Sequence, residues 1–596
     1  MPDYFEQVAA FHNLVLVGPR GLGKTTVMKA LTASGLTHLH QRDDLKSILR
    51  DIDFGYVPIY IPAESIWRGT AQSISGALSE DYERDHILNG LFVDHCLHQL
   101  VSSFEDALVD TDQGDSQVLQ PWSVSLTDIE EKDICNQCSV FWGLQRAQNS
   151  FVGLKLALLQ RSNQYRSAIT SLPNRSELEL VMKYQKYDFL IALKGFFDIV
   201  GSHCADLRWS VCFDEMEIAP KRVLAQLYEN LRSFDQRAVL KFSLFPYIDF
   251  YSLEQRMAAS ESGPTDGQDF HTVILANKFA NPDYSLAKRL IKNECDLAGI
   301  QIDTFINYLN SSSSIHRGTR RFTENGFERD FVAIHAMAVQ AGDKSYVDYM
   351  KRNGINRAGD LQTLKGNNKR AQVIRKPAPI AEIRSYYLVK GGGKSHIDSR
   401  RTSAKGFGYY HGFDQMLDLT EGNPRAIKYY VTDLLRSLAR GENSAVAQNR
   451  AISRNVDRFR ALVSAHTYSG DIVSSQLQSP LQLVDTLGDF LSEVLLASDF
   501  QPEPPLSYEV KGLNPHLSEA LILAVNSGAL VVDQTTGRKQ LIFDLEGCRF
   551  RASHRLAPFY KLPTITGQPR VLSGMPRTRR SYIDQPDLLS WAKDDG

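Results

Sequence analysis

The stretch GPRGLGKTT, residues 18–26, has the residue types and spacing that bind phosphate. It matches G-x-x-x-x-G-K-[ST], with Gly18, Gly23, Lys24 and Thr25 in the fixed positions. Glycine at 18, 21 and 23 lets the backbone curl so that successive N–H groups converge on phosphate oxygens, where side chains would obstruct them. Pro19, Arg20, Gly21, Leu22 and Thr26 complete the loop around a bound nucleotide. Lys24 is expected to reach the β- and γ-phosphates, and the Thr25 hydroxyl to ligate Mg²⁺. The plain alternative is a glycine-rich strand-to-helix turn with a solvated lysine, and the flanking pattern weighs against it.

Such a loop works between a buried strand and a helix. Leu14–Val17 is wholly apolar, as a parallel strand covered on both faces requires, and Val27, Met28 and Leu31 recur at helical spacing. A second constellation lies far downstream in RWSVCFDEMEIAP, an apolar strand ending in Asp214 and Glu215. Beside a phosphate loop, Asp214 is expected to hold Mg²⁺ through water, and Glu215 to orient or deprotonate the attacking water. Without such a loop they read as two solvated charges at a strand end. The next strand, AVLKFSLFP, offers Ser243, or alternatively Lys241, beside the γ-phosphate.

The elements that position these residues follow an alternating pattern. YVPIYIPAE, residues 56–64, is a second buried strand, and HTVILAN a further one. Strands alternating with helices predict an α/β fold, a parallel sheet with helices on both faces. Long amphipathic stretches between residues 66 and 206 predict a large helical insertion. A helical lid is expected over 282–445, interrupted at 351–405 by a glycine-rich segment with fourteen Lys and Arg against three acidic residues. Residues 456–572 begin helical, pass a proline-rich turn at QPEPPLSY, and continue as a helix running into a β-hairpin with its turn near Thr536 and Gly537. The tail at 573–596 is polar and reads as flexible.

Bulk properties narrow the function classes. At 596 residues the chain exceeds one core, and its 43% hydrophobic and 23% charged residues are those of an ordinary globular protein. A net charge of −2 gives no global attraction to nucleic acid, so any such preference is regional. No membrane span or secretory leader is read, and the expected location is cytoplasmic. Seven scattered cysteines argue for reduced thiols. Cys135 and Cys138 form a C-x-x-C without a second pair, which leaves zinc or redox chemistry open as a minor reading.

The order of GPRGLGKTT, CFDEME, KFSLFP and a distant GNPRAIKYY resembles that of AAA+ ATPases. More narrowly, it resembles the origin-recognition-complex-like initiator ATPases and the STAND switch ATPases. The resemblance implies ATP and Mg²⁺ as cofactors, with residues 1–281 as the nucleotide-binding domain. It implies that Arg425 senses the γ-phosphate from a lid helix entered through Gly422, Asn423 and Pro424. The C-terminal region resembles a winged-helix domain. Arg256 is the best-placed trans-acting arginine, with Arg232 and Arg237 as alternatives, so a homo-oligomer is one expected state.

Two functional readings follow. In the first, an ATP-hydrolysing switch controls assembly with a DNA or protein partner; in bacteria, ATPases of this look often sit in antiviral defence systems beside a separate effector protein. In the second, the chain is a DNA-binding initiator or loader. There the basic segment neutralises DNA or RNA phosphates, and Tyr386, Tyr387, Tyr409 and Tyr410 stack bases. A solvated, mobile face remains the alternative for that segment.

Overall fold

The computed structural model describes residues 4–45, 49–63, 81–109, 120–170, 188–246, 264–275, 284–312, 324–357, 359–360, 376–391, 394–397, 406–465, 479–513, 515–532 and 545–573. Its contacts divide the chain into two units, Met1–Gly18 with Gly23–Leu275, and Pro19–Leu22 with Ala276–Gly596.

The first unit is built on five parallel strands: β1 (Leu14–Val17), β2 (Val57–Pro62), β3 (Trp209–Asp214), β4 (Ala238–Leu244) and β5 (His271–Ile274). Their order across the sheet is β2-β3-β4-β1-β5. Every residue of β1, β3 and β4 is buried, which is why these segments read as continuous apolar runs. The fold is α/β, a parallel sheet flanked by helices. Three helices precede β2: α1 (Phe5–Ala9), α2 (Lys24–Ala30) and α3 (Ala33–His40). Four described helices stand between β2 and β3: α4 (Asp81–Glu105), α5 (Asp128–Phe141), α6 (Phe151–Thr170) and α7 (Phe189–Gly201).

The helix α4 packs on β2, an edge strand whose backbone groups would otherwise lie unpaired. Ser103 Oγ accepts from the Tyr60 amide at 2.9 Å and donates to the Tyr60 carbonyl at 3.2 Å. His95 Nε2 lies 2.7 Å from the Pro62 carbonyl oxygen. Phe104 from α4 meets Phe196 from α7 and Trp209 from β3, so one aromatic core joins the inserted helices to the sheet. Cys135 and Cys138 are both buried on α5, and burial pushes both thiols up, Cys135 to about 12. They are core residues there, and among the described residues no three or more His, Cys, Asp and Glu side chains cluster as metal ligands would.

In the second unit, helices α8 (Ser285–Leu297), α9 (Ile302–Asn310), α10 (Phe413–Thr420), α11 (Pro424–Ala439) and α12 (Ser444–Ser464) pack together. The α10–α11 turn is tight because Glu421 and Gly422 both adopt positive φ, 53° and 71°. Asn423 then caps α11 by accepting from the Ala426 amide at 3.1 Å, and Pro424 takes the first helical position. Beyond lie α13 (Pro480–Leu495), β6 (Pro505–Val510), α14 (Pro515–Asn526), β7 (Leu530–Val532), β8 (Arg549–Ala552) and β9 (Gln568–Leu572). Their strands form one sheet in the order β9-β6-β8-β7. The antiparallel β7–β8 pair flanks the expected hairpin turn, which lies outside the described residues. A two-stranded hairpin, Leu388–Gly391 with Lys394–Ile397, lies within the basic segment, where no strand was expected.

Glu421 ties the α10–α11 turn to the last sheet. Its carboxylate accepts from Arg551 at 2.6 Å, from Ser553 Oγ at 2.5 Å and from the His554 amide at 3.1 Å. Burial alone would raise its pKa, but Arg551, His554, Arg555 and the Ser553 hydrogen bond hold it at about 2, against an ordinary 4.5. A depressed folded-state pKa means stability that is present above pH 4.5 and lost as pH falls toward 2. The size is on the order of 3 kcal/mol. Glu421→Gln should therefore lower the unfolding free energy at pH 7 by a similar amount, leaving buried arginine charge uncompensated. It should also flatten the acid dependence, so urea titrations of both proteins at pH 7 and pH 3 check the pair of effects.

Candidate functional site: a phosphate loop and two carboxylates

The carboxyl ends of parallel strands in an open α/β sheet are where ligands bind, and the candidate residues gather there. The loop leaves β1 at Val17, which pairs with Leu244 at the end of β4. The Gly18 amide donates to the Leu244 carbonyl at 3.0 Å. A Cβ on Gly18 would stand 2.8 Å from the Leu275 carbonyl oxygen and 2.9 Å from Leu275 Cβ, so glycine is required where the loop passes β5. Gly23 has φ 93° and opens α2, whose first two residues are Lys24 and Thr25. The Lys24 side chain is buried; its Nζ donates to the Gly18 carbonyl at 2.5 Å and lies 4.6 Å from the centre of the Phe245 ring. Thr25 is half-buried and Thr26 exposed.

Asp214 ends β3 and is 1% exposed. Burial of a carboxylate demands donors, and Asp214 has three. Ser243 Oγ donates to Oδ1, as does the Glu215 amide at 3.0 Å, while the Tyr60 hydroxyl donates to Oδ2 at 3.0 Å. Ser243 Oγ also accepts from the Glu215 amide at 3.1 Å. Glu215 is exposed, with φ 58°, a conformation that non-glycine residues seldom hold unless neighbours impose it. Lys24, Asp214, Glu215 and Ser243 thus come from different strand ends to one edge of the sheet. The set fits a nucleoside triphosphate with Mg²⁺: a glycine cradle, a buried ammonium, a hydroxyl on α2 and an oriented carboxylate.

The second unit takes in the loop tip, Pro19–Leu22. A Cβ on Gly21 would come within 3.0 Å of Asn423 Oδ1 and 3.5 Å of Arg425 Cβ. Asn423 Nδ2 donates to the Arg20 carbonyl at 3.3 Å, and the Arg20 amide donates to the Asn526 carbonyl at 3.4 Å. Arg425 is exposed on the first turn of α11. The structure therefore brings Arg425 beside the loop tip, 403 residues upstream of its neighbour Asn423.

Several expectations are corrected. Lys241 cannot adjoin a γ-phosphate: it is fully buried two residues below Ser243, with Nζ bonded to the Val8 and Ala10 carbonyls at 2.6 and 2.8 Å. Burial lowers its pKa to about 8. Tyr387, Tyr409 and Tyr410 are buried and cannot stack bases; the Tyr410 hydroxyl donates toward the Ala557 and Leu562 carbonyls at 3.0 and 2.9 Å. Tyr386 is half-buried and donates to the Gly406 carbonyl at 3.1 Å. Arg237 stands before β4, at the opposite end from the loop, and is paired with Asp235 and Asp198 at 2.8 and 2.6 Å. Arg232 lies 3.9 Å from Asp269. Arg256 and, within 351–405, residues 358, 361–375, 392–393 and 398–405 lie outside the described residues. Tyr60 was not anticipated, because a tyrosine in an apolar strand has no spacing signal toward a carboxylate 154 residues away.

A five-stranded parallel sheet with these residues at its carboxyl edge is the architecture of a P-loop AAA+ protein. The family model described as ORC-CDC6-like matches residues 1–572, and the chain belongs to that family, an AAA+ ATPase of the initiator type. No curated protein and no solved structure matches it. Among the described residues, no helix is long and apolar enough to cross a membrane.

The close approach at Gly18 gives a direct check. Gly18→Ala should cost about 2 kcal/mol through overpacking against Leu275, whereas Thr26→Ala, at an exposed position, should be near neutral. Thermal unfolding of the two variants beside wild type measures the difference.

Proposed function

We propose that this protein is an ATP-hydrolysing switch whose nucleotide state controls assembly with a DNA or protein partner. The observation that carries this reading is the loop tip. Residues 18 and 23–25 belong with the sheet and its carboxylates, while Pro19–Leu22 lie against Asn423, Arg425 and Asn526 of the second unit. In this reading the loop that holds the nucleotide is itself held at its tip, where Arg20 bonds to Asn423 and Asn526. In this reading Lys24 binds the β- and γ-phosphates, Thr25 and Asp214 hold Mg²⁺, and Glu215 acts as base toward water. Ser243 keeps Asp214 oriented, and Arg425 reads the γ-phosphate. Bound Mg²⁺ supplies charge neutralisation of the phosphates.

The C-terminal helices and sheet act as a winged-helix-like module, and with the basic segment they provide the surface for DNA or RNA. Effector chemistry then belongs to a separate protein, as in a bacterial antiviral defence system. The alternative, an initiator or loader acting on duplex or single-stranded DNA, uses the same site.

Three variants separate binding, hydrolysis and closure. Lys24→Ala should fold but lose nucleotide binding. Glu215→Gln should bind ATP normally and hydrolyse it about 10²-fold more slowly, since it loses the carboxylate needed to activate water. Arg425→Ala should bind ATP without closing. In size-exclusion chromatography or partner pull-down with ATP, Glu215→Gln should persist in the assembled state and Arg425→Ala should stay out of it. If both variants elute and pull down like wild type, nucleotide state does not govern assembly.

A further inference from the structure

The hydroxyl of Tyr60 donates to Asp214, a contact the proposed chemistry does not use. Asp214 Oδ1 is held from within, by Ser243 on β4 and by the amide of its own neighbour Glu215. Its Oδ2 accepts at 3.0 Å from Tyr60 on β2, on the other flank of β3. With donors on both oxygens the carboxylate plane is fixed, where a single bond would leave it free to turn about its last torsion. Tyr60 is itself fixed. Its amide and carbonyl are both bonded to Ser103 Oγ, and two residues on, the Pro62 carbonyl faces His95 Nε2 at 2.7 Å. A phenol is protonated across the working pH range, so it remains a donor there.

We infer that Tyr60 is a positioning residue for the metal site: it orients the Asp214 carboxylate so that the remaining lone pairs face the Mg²⁺ and its water shell, and the inserted helix α4 holds it in place. The inference rests on the reading of Asp214 as a metal-holding carboxylate. Two consequences compete when the hydroxyl is removed. The carboxylate gains charge density, which would strengthen metal binding, and it loses its orientation, which would weaken it. Asp214 is expected to act through water, where geometry counts for more than basicity, so weakening should prevail. The tyrosine is also a link outward: β2 is the strand that α4 grips, so displacement of α4 would reach Asp214 through Tyr60.

The test uses the full-length protein, a fluorescent ATP analogue and a metal titration. In EDTA, Tyr60→Phe should bind the analogue like wild type, because no phosphate ligand has been touched. Half-saturation by Mg²⁺ should rise about tenfold, the effect of losing one hydrogen bond to a charged group. Mn²⁺ bound beside a non-hydrolysable ATP analogue, followed by its EPR signal, should show the same loss of affinity without reliance on turnover. Ser243→Ala should behave alike, and the double variant should be less than additive, since both side chains hold one carboxylate. Asp214→Asn controls the underlying reading. If it weakens metal binding strongly while Tyr60→Phe leaves metal dependence unchanged or tightens it, the role assigned to Tyr60 is wrong. If Asp214→Asn itself leaves metal dependence intact, the metal site lies elsewhere and the reading beneath the inference falls with it.

Discussion

A buried carboxylate at the end of a central strand is the constraint around which the first unit is arranged. Asp214 is almost without solvent, and an ionised group in that position is tolerable only if its oxygens are met by donors. Those donors come from three places: Ser243 on the strand to one side, Tyr60 on the strand to the other, and the amide of Glu215. The same amide also binds Ser243, and Glu215 itself holds a positive φ. The strained residue thus directly follows the buried charge and shares its hydrogen-bond network. What stabilises the folded site also presents an exposed carboxylate beside the loop.

A second constraint governs the other unit, and it is also a carboxylate. Glu421 supplies the left-handed step between α10 and α11, with its side chain enclosed by Arg551, Ser553 and the His554 amide. Just beyond it, Asn423 and Arg425 meet the loop tip. On the other side, Arg555 Nε lies 3.2 Å from Ser553 Oγ and its Nη2 donates at 2.9 Å to the Gly528 carbonyl, close to Asn526, which accepts from Arg20. The contacts thus close a circuit: loop tip, α10–α11 turn, Glu421, Ser553, Arg555, the turn after α14, and the loop tip again. A circuit of this kind has few independent adjustments. Moving the loop tip must move the turn or break one of the bonds.

How far the sequence disclosed this depends on the range of the interactions involved. The phosphate loop was legible because its chemistry is local: glycine spacing, one lysine and one threonine between a strand and a helix. The three central strands, β1, β3 and β4, were legible because burial on both faces leaves unbroken apolar runs. Lys241 was ambiguous for a related reason. It shares a strand face with Ser243, and alternation does not say that it pairs with Leu14 near the other end of β1. The strand β6 was hidden behind its prolines, which suggested a turn; Pro505 is in fact the first residue of the strand, where a missing N–H is tolerated. The tyrosines of the basic region were misjudged because net charge describes a segment, whereas burial is decided residue by residue.

The inserted helices raise a question that the site itself answers in part. Sequence order places them between β2 and β3, strands that are neighbours in the sheet with matched register from Val57 with Trp209 to Pro62 with Asp214. A right-handed crossover between such neighbours needs only about a dozen residues, so a bundle of four described helices is far more than the connection requires. It does, however, do something a short crossover could not. β2 is an edge strand, and α4 covers it through Ser103 and His95, leaving the sheet with a protected margin on that side. The residue clasped by Ser103 is also the one that reaches Asp214. Covering the edge and steadying the carboxylate are then achieved by the same pair of hydrogen bonds, which gives the insertion a physical reason to bind the sheet at that point.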